Sequence, residues 1–592
     1  NSATRAKIVF KELNSKIGKL DLPNSDFNIK TLLFKDAFVD VLLTPDSKAS
    51  QTLNTETAKD SVAPASNPLK LLLQSADLEN VNIVYNNGKG ENKTKSFNAD
   101  HLNLKQLNGK LTNIQLVGTN VSGELKDVTF TENSGFVLEE LSTKFKYAET
   151  ETILEDLTLK TPHTFLQRSL KLQYKSVDDF SNNLGNVALE ANLPNNKIGF
   201  KDILWLAPNL KNTVPFNKYP NAVLNLSANV KGIVNDLLVQ EFKLSGLGNL
   251  NVNAAGTIKN ALDTNKLWMN LKINDFTANK QLITALAPKN SIPNTIEIPQ
   301  NLSLSGKLKG SLNDIYADMG IQTSFGNAKV TGTFNQKVKN AERYDLNASL
   351  AAFNVGKLLK NKELGVVTAN AKIKGTGFNF EKNKAEVDAS VTQAAFKGYT
   401  YRSVALKGGL NKGNYNVTLS SNDDNAKLNI VASGVYNADA PTVKTEGMVY
   451  KVDLNKLGFY ATPMALAGKL NADFSSLNPD ALNGELLLQD FVLSNGNEIY
   501  PISEISMKAV SNDTINSIDL TSQIVDASIT GKYKLTEISS SLLNTVNQYY
   551  HFQKDSALKQ ISPSQYFDFR GKIKNDDLIR KFVPELKSFQ TI

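Results

Sequence analysis

The chain carries three histidines, His101, His163 and His551, and no cysteine. Without thiols it has no thiol nucleophile, no iron–sulfur cluster and no Cys-based zinc site. Three imidazoles so far apart in sequence do not make a His-rich metal centre by spacing. His101 follows Asp100, but an Asp–His neighbour pair lacks the third member of a triad. His163 lies in the turn-like Thr161-Pro162-His163-Thr164, and His551 ends a helical pattern, Tyr549-Tyr550-His551-Phe552. Both read as packing or exposed residues. Two acidic pairs have the chemistry for acid–base work. Asp423-Asp424 lies between two strand patterns and reads as a polar hairpin loop. Asp576-Asp577 precedes a helical pattern, where carboxylates cap N–H groups and oppose the dipole. Gly246-Leu247-Gly248 and Gly375-Thr376-Gly377 lack the third glycine of a dinucleotide turn and read as bulges or close-packing points. No G-x-S-x-G, P-loop or H-E-x-x-H is present. The expectation is a protein that is not an enzyme, with no catalytic residue, no cofactor and no metal.

Composition narrows the class further. A length of 592 residues corresponds to roughly three to six ordinary domains. With 41% apolar and 21% charged residues, wholesale disorder is excluded. The net charge of +8 is spread along the chain without basic runs bearing interleaved aromatics, so no nucleic acid is expected as a partner. No stretch reaches the ~18 apolar residues of a membrane span, and no signal peptide is seen. The opening Asn1-Ser2-Ala3-Thr4, without Met, reads as a piece of a longer protein whose membrane anchor lies outside it.

The elements announced by the sequence are strands. Leu302 to Gly310 alternates Leu and Gly with Ser and Lys, and Leu224 to Gly232, Leu267 to Ile273, Leu466 to Phe474 and Ile529 to Leu535 alternate likewise. A period of two with one apolar and one wet face is the pattern of antiparallel sheet. Leu224 to Asp236 aligns without gaps on Leu302 to Asp314, an offset of 78 residues, with weaker copies at Ala369 to Gly375 and Leu466 to Phe474. A shorter hexamer recurs at Phe34 to Val39, Leu78 to Ile83, Leu125 to Phe130 and Leu154 to Leu159. Its third residue is always Asp or Asn, which predicts a turn or bulge before the strand resumes. Helical spacing is predicted at Phe200 to Pro208, Asn279 to Pro288, Asn354 to Glu363, Val452 to Tyr460, Thr536 to Tyr550 and Asp576 to Pro584. Helices this short must pack on sheet.

Periodicity leaves three architectures open: a closed sandwich, a β-helix, and an open groove whose apolar lining serves a ligand. At this point the residues resemble the AsmA-like family, specifically its TamB-like translocation and assembly module branch of Bacteroidetes type. The resemblance rests on Gly135 to Leu141 leading through Leu154 to Thr161, on the helix Asp202 to Pro208 with its relative Asp577 to Pro584, and on Ile292 to Pro299 running into Leu302 to Gly306. It implies an elongated, repetitive antiparallel sheet curled into an open, taco-shaped apolar groove with short interspersed helices. The implied segments are 1–44, an N-terminal AsmA-like β segment; 45–68, a flexible loop; and 69–210, a groove segment closed by a short helix. The β repeats 211–290, 291–365, 366–460 and 461–592 follow, the last with helices.

The implied function is a periplasmic conduit moving phospholipid between inner and outer membranes, with a linked role in outer-membrane protein assembly. Its implied partners are phospholipid acyl chains, an outer-membrane barrel of the Omp85 type whose contact region lies outside this chain, and an inner membrane reached by an anchor not present here. The residues expected to line the groove are Leu224, Leu226, Val230, Leu302, Leu304, Leu308, Ile373, Leu428, Ile430, Leu466, Leu470 and Ile529. Two rival readings are a surface or secreted β-solenoid adhesin and an enzyme of envelope polysaccharide. The first has a shorter coil repeat and the second needs an acid pair in a cleft.

Overall fold

The computed structural model describes residues 3–44, 68–88, 97–98, 100–287, 291–437, 439–496, 498–550, 562 and 565–582. Residues 45–67 of the expected loop, and His551, lie outside the described residues. Strand makes up 66% of the described residues and only a few short helices interrupt it there, so the class is mainly β. The 29 strands belong to one open sheet. The chain divides into two compact units, Asn1–Pro293 with Pro299–Leu312, and Asn294–Ile298 with Asn313–Ile592.

The first unit holds β1 (Ala3–Asp21), β2 (Asp26–Thr44), β3 (Lys70–Asn87), β4 (His101–Val117), β5 (Asn120–Glu132), β6 (Val137–Ala148), β7 (Glu151–Lys160), β8 (Phe165–Gln173), β9 (Ala188–Gly199), β10 (Val223–Ile233), β11 (Asp236–Ser245), β12 (Asn251–Lys259), β13 (Trp268–Asn279) and β14 (Asn301–Ser311). The second holds β15 (Asp314–Thr323), β16 (Gly326–Asn335), β17 (Arg343–Asn354), β18 (Leu364–Thr376), β19 (Lys384–Phe396), β20 (Tyr399–Asn411), β21 (Asn414–Asp423), β22 (Ala426–Val435), β23 (Val443–Asp453), β24 (Ala465–Ser476), β25 (Asn483–Asn495), β26 (Glu498–Ser511), β27 (Asn516–Ser522), β28 (Val525–Lys532) and β29 (Tyr566–Ile573). Within each unit strands pair in chain order, as short turns dictate. Lys397-Gly398 and Lys412-Gly413, for example, carry both residues at positive φ, the geometry that matches strand twist in a tight hairpin. One pairing departs from the antiparallel expectation: β2 and β3 run parallel, with Asp26 opposite Lys70 and Leu43 opposite Asn87.

The recurrent hexamer is a bulge. Asp36, Asn80, Asp127 and Asp156 all have φ between 46° and 52°, a left-handed conformation that Asn and Asp tolerate best. At Asn80, Asp127 and Asp156 the ladder slips by one residue. Each slip flips the alternation, so that apolar residues three apart face the same side. The residues that follow, Ala37, Val81, Val128 and Leu157, are buried at 1%, 1%, 8% and 5% exposure. Ala37, Val81, Leu107, Val128 and Leu138 form one cluster with Phe34, Leu78, Leu125 and Phe130 around them. Amides freed by the slips find side chains on neighbouring strands. Asn80 N–H donates to Asn108 Oδ1 at 2.8 Å, and Asp127 N–H to Ser142 Oγ at 2.9 Å. A bulge bends its strand, and bulges aligned over successive strands crease the sheet along a line. The most buried residues of these strands lie along that line, where they pack on one another.

Elsewhere glycine stands where a side chain has no room. A Cβ on Gly332, at φ +148°, would collide with the Asp345 carbonyl of the adjacent strand.

Helices sit where strands end. They are α1 (Asp179–Asn182), α2 (Phe200–Leu206), α3 (Lys280–Leu286), α4 (Val355–Leu359), α5 (Ile538–Tyr550) and α6 (Asp577–Phe582). Asn279 and Asn354 cap α3 and α4, accepting from Leu282 N and Lys357 N, each at 2.8 Å. The expected helix at Val452 to Tyr460 is absent. β23 runs to Asp453, and one turn follows. Phe459 N–H closes back on the Leu454 carbonyl at 2.8 Å, with Gly458 at φ +78°. That is a C-terminal helix stop placed too early for a helix to form.

Candidate apolar groove

Cross-strand register turns the alternation into continuous apolar lanes. In the first unit one lane runs Phe145, Leu154, Leu170, Ala191, Val230, Val239, Gly256, Leu271, Leu308, each directly opposite the next from β6 to β14. A second runs Leu226, Leu244, Val252, Phe276, Leu304. The 78-residue repeat therefore has a structural meaning: it is one helix plus four strands, and it returns Leu226 to its own lane as Leu304. At ~4.8 Å per strand the equivalent leucines lie about 19 Å apart.

In the second unit the longest lane runs Met319, Val330, Ala348, Ala371, Ala389, Leu406, Leu419, Ile430, Gly447, Leu470, Leu488, Ile505, from β15 to β26. Ile373 lies beside it between Leu346 and Val387. Leu428 faces Val449, Leu466 stands between Val452 and Leu493, and Ile529 between Ile518 and Phe569.

All the residues nominated from sequence are half-buried, neither sealed nor free. The face of a sandwich would be fully covered by a second sheet. Here most lane residues pack on their neighbours across the strands and keep part of their surface open, while Ala191, Val239 and Met319 are buried. Leu224 and Leu302 are the marginal members. Leu224 packs against the cluster of Phe200, Leu247, Ala278 and Leu282, and Leu302 pairs with the buried Ala278. Both belong to the helix-covered margin of the lanes. Sequence reasoning missed Phe276, Leu244, Val252, Leu406, Leu419 and Leu488. Each alternates within its own strand, but only the register shows which lane it joins.

The opposite face is polar and laddered. Asp318, Thr331, Asn347, Lys372, Asp388, Lys407 and Thr418 stand successively opposite one another. In the first unit Lys35 meets Glu79 at 2.6 Å and Lys144 meets Asp156 at 2.9 Å. Each hydrogen bond to a carboxylate holds its ammonium above the ordinary lysine value.

The segments singled out near residues 135, 160 and 205 meet at one end of the strands. Trp205 stacks on Phe136 with centroids 4.1 Å apart, meets Phe97 edge-on, and donates its Nε1–H to Ser134 Oγ at 2.6 Å. Asp202 accepts from the hydroxyls of Thr161 at 2.6 Å and Thr164 at 2.5 Å. These contacts fasten α2 across the β5–β6 and β7–β8 turns, beside the apolar lanes.

Candidate chemistry resolves into structure. His101 Nδ1 lies 2.9 Å from Asn86 Oδ1, and His163 sits half-buried in the β7–β8 turn. Asp576 caps α6 through Leu578 N–H at 2.8 Å, and Asp577 pairs with Arg580. Leu247, between the glycines of its motif, is a core residue, and a Cβ at Gly375 would meet the Tyr344 hydroxyl. Among the described residues no three His, Asp or Glu side chains converge as a metal site requires, and no helix is long and apolar enough to cross a membrane.

Asp423 is the buried member of its pair, 2% exposed, at the β21–β22 hairpin. It accepts from Tyr399 Oη at 2.6 Å, Arg402 N–H at 2.8 Å and Asn425 N–H at 2.9 Å. Burial pushes its carboxyl up, but the Tyr399 hydroxyl and the amides of Asn425, Arg402 and Ala426 outweigh that and hold it below the ordinary value. A depressed carboxyl contributes stability above its unfolded pKa and loses it as pH falls through the folded one. Asp423→Asn turns a donor toward the Arg402 amide and is expected to cost about 1–3 kcal/mol at neutral pH. Urea unfolding should show the gap to wild type closing in acid; a gap independent of pH would discount the carboxylate.

No family model, no curated protein and no solved structure matches this chain.

Proposed function

We propose that the chain is a non-enzymatic periplasmic lipid conduit, along whose apolar lanes phospholipid acyl chains move between inner and outer membranes. The partners of this reading are phospholipid acyl chains, the inner membrane and an outer-membrane barrel. The supporting observation is the set of continuous apolar lanes, most of whose residues are only half-buried. Each CH₂ removed from water is worth ~0.8 kcal/mol, so a half-lined lane holds an acyl chain by several kcal/mol. The lanes continue from strand to strand without a polar interruption, so a bound chain passes from one residue to the next without entering water. The polar ladder occupies the opposite face, which solvent can cover.

A photo-crosslinking residue at Leu304 or Leu308 is expected to capture phospholipid, identified by mass spectrometry of the adduct. The same probe at Ser303 or Lys307, which alternate with them on β14, should not. Equal labelling of both faces, or no lipid on either, would defeat the reading. Absence of lipid with folded, monodisperse protein would favour the adhesin.

A further inference from the structure

The second unit displays hydrophobic rings that its folding does not use. The loop 377–383, between β18 and β19, carries Phe378 and Phe380 at 67% and 60% exposure. The flanking loops add Val338 at 62% and Tyr436 at 47%. These loops are stitched together. Gly377 N–H donates to the Glu342 carbonyl at 2.7 Å, Gly413 N–H to Phe380 at 3.0 Å, and Tyr436 N–H to Gly413 at 2.7 Å. Asn379 Oδ1 accepts from Glu381 N–H at 2.9 Å and Lys382 N–H at 3.1 Å, which fixes the turn between the two phenylalanines. Phe378 lies parallel to Tyr344 at 5.5 Å, and Phe380 meets Tyr436 edge-on at 5.9 Å. The rings are held from behind with their outer faces in water.

The surround is basic. Lys337, Lys339, Arg343, Lys382, Lys384 and Lys412 stand against Glu342, Glu381 and Asp439 on these loops and their first strand residues. Lys337 is paired with Asp314 at 2.7 Å. Lys339, Lys382, Lys384 and Lys412 make no ion pair among the described residues. Phenylalanine tips ringed by lysine have the chemistry of an interfacial anchor. The rings enter the boundary between head groups and acyl chains while the ammonium groups meet lipid phosphates. A second copy of the chain would bring the same positive charge against itself.

We infer that this face docks on an anionic bilayer surface, with Phe378 and Phe380 inserted and Lys382 and Lys412 on the head groups. The inference is independent of the groove. The test is co-sedimentation of the full chain with vesicles of phosphatidylcholine alone and of phosphatidylcholine with one-third phosphatidylglycerol. The wild type should bind the second and not the first, and release on adding salt. Phe378→Ser with Phe380→Ser, and separately Lys382→Gln with Lys412→Gln, should each weaken binding about tenfold. Melting temperature and lipid capture at Leu304 should not change, which keeps this result separate from the fate of the groove. Equal binding by wild type and variants, or no binding to the anionic vesicles, would overturn the inference. So would self-association of the wild type that the Phe pair abolishes, since the face would then serve a second copy.

Discussion

Replacing Leu226 or Leu304 by Asp is expected to leave the protein folded and to stop lipid passage. Both positions are half-buried, so a carboxylate there keeps water. The unfolding midpoint should fall by no more than a few degrees, as for other partly exposed substitutions (ΔΔG about 1 kcal/mol). For an acyl chain the same residue is a barrier. Passing it means displacing the carboxylate's hydration, at a cost of several kcal/mol and hence a hundredfold or more in rate. Leu226 and Leu304 occupy one lane four strands apart, so a block at either should be equivalent if the lane is a path. An outer-membrane permeability assay, with thermal melts of the purified variants, reads both consequences. Stable variants with intact transport would remove the conduit. Collapsed protein would mean that the lanes are a sealed core, as in a sandwich.

Much of this was legible before any coordinates. The hexamers around Asp36, Asn80, Asp127 and Asp156 announce their bulge in two ways. An Asp or Asn occupies the one position where φ must be positive, and the apolar spacing jumps from two to three. Leu224 to Gly232 and Leu302 to Gly310 carry strict alternation, and each became a strand with its Lys and Asn residues outward. The repeat of 78 was visible too, but its content was not: that it equals four strands depends on turn positions no offset can specify. Pairing partners were beyond reach. Phe276 meets Leu304, and Gly256 meets Leu271, because of hairpin register and intervening bulges, which are long-range outcomes. The parallel pairing of β2 with β3 left no mark in either strand, since strands of both orientations share the same alternation. At Val452 to Tyr460 the apolar spacing suited a helix, but Gly458 ended it after one turn. Asp423 looked like any hairpin acid, because the Tyr399 hydroxyl that donates to it lies 24 residues away.

The crease should respond in the opposite way to the lanes, and Val81→Asp is expected to unfold the first unit's early strands. Val81 is 1% exposed, flanked by Ala37 and Leu107 in register, and held by the left-handed Asn80 before it. Its neighbours in the cluster include Ala37, Leu107, Leu78 and Ile83, all apolar. A carboxylate there is buried without a partner, at a cost of several kcal/mol that is a large part of any domain's stability. Val81→Ala removes only two methyl groups and should cost about 1–2 kcal/mol, leaving a folded protein for comparison. Limited proteolysis should cut Val81→Asp rapidly within residues 70–132, where the buried row is broken, and spare Val81→Ala. If Val81→Asp were as stable as Leu304→Asp, the distinction between a sealed crease and an open lane would fail. The bulges cost backbone strain and ladder hydrogen bonds at Asp36, Asn80, Asp127 and Asp156. That cost is recovered only where the bend packs Ala37, Val81, Leu107 and Val128 against one another. The lanes beyond can therefore stay half-open without the sheet depending on them for its stability.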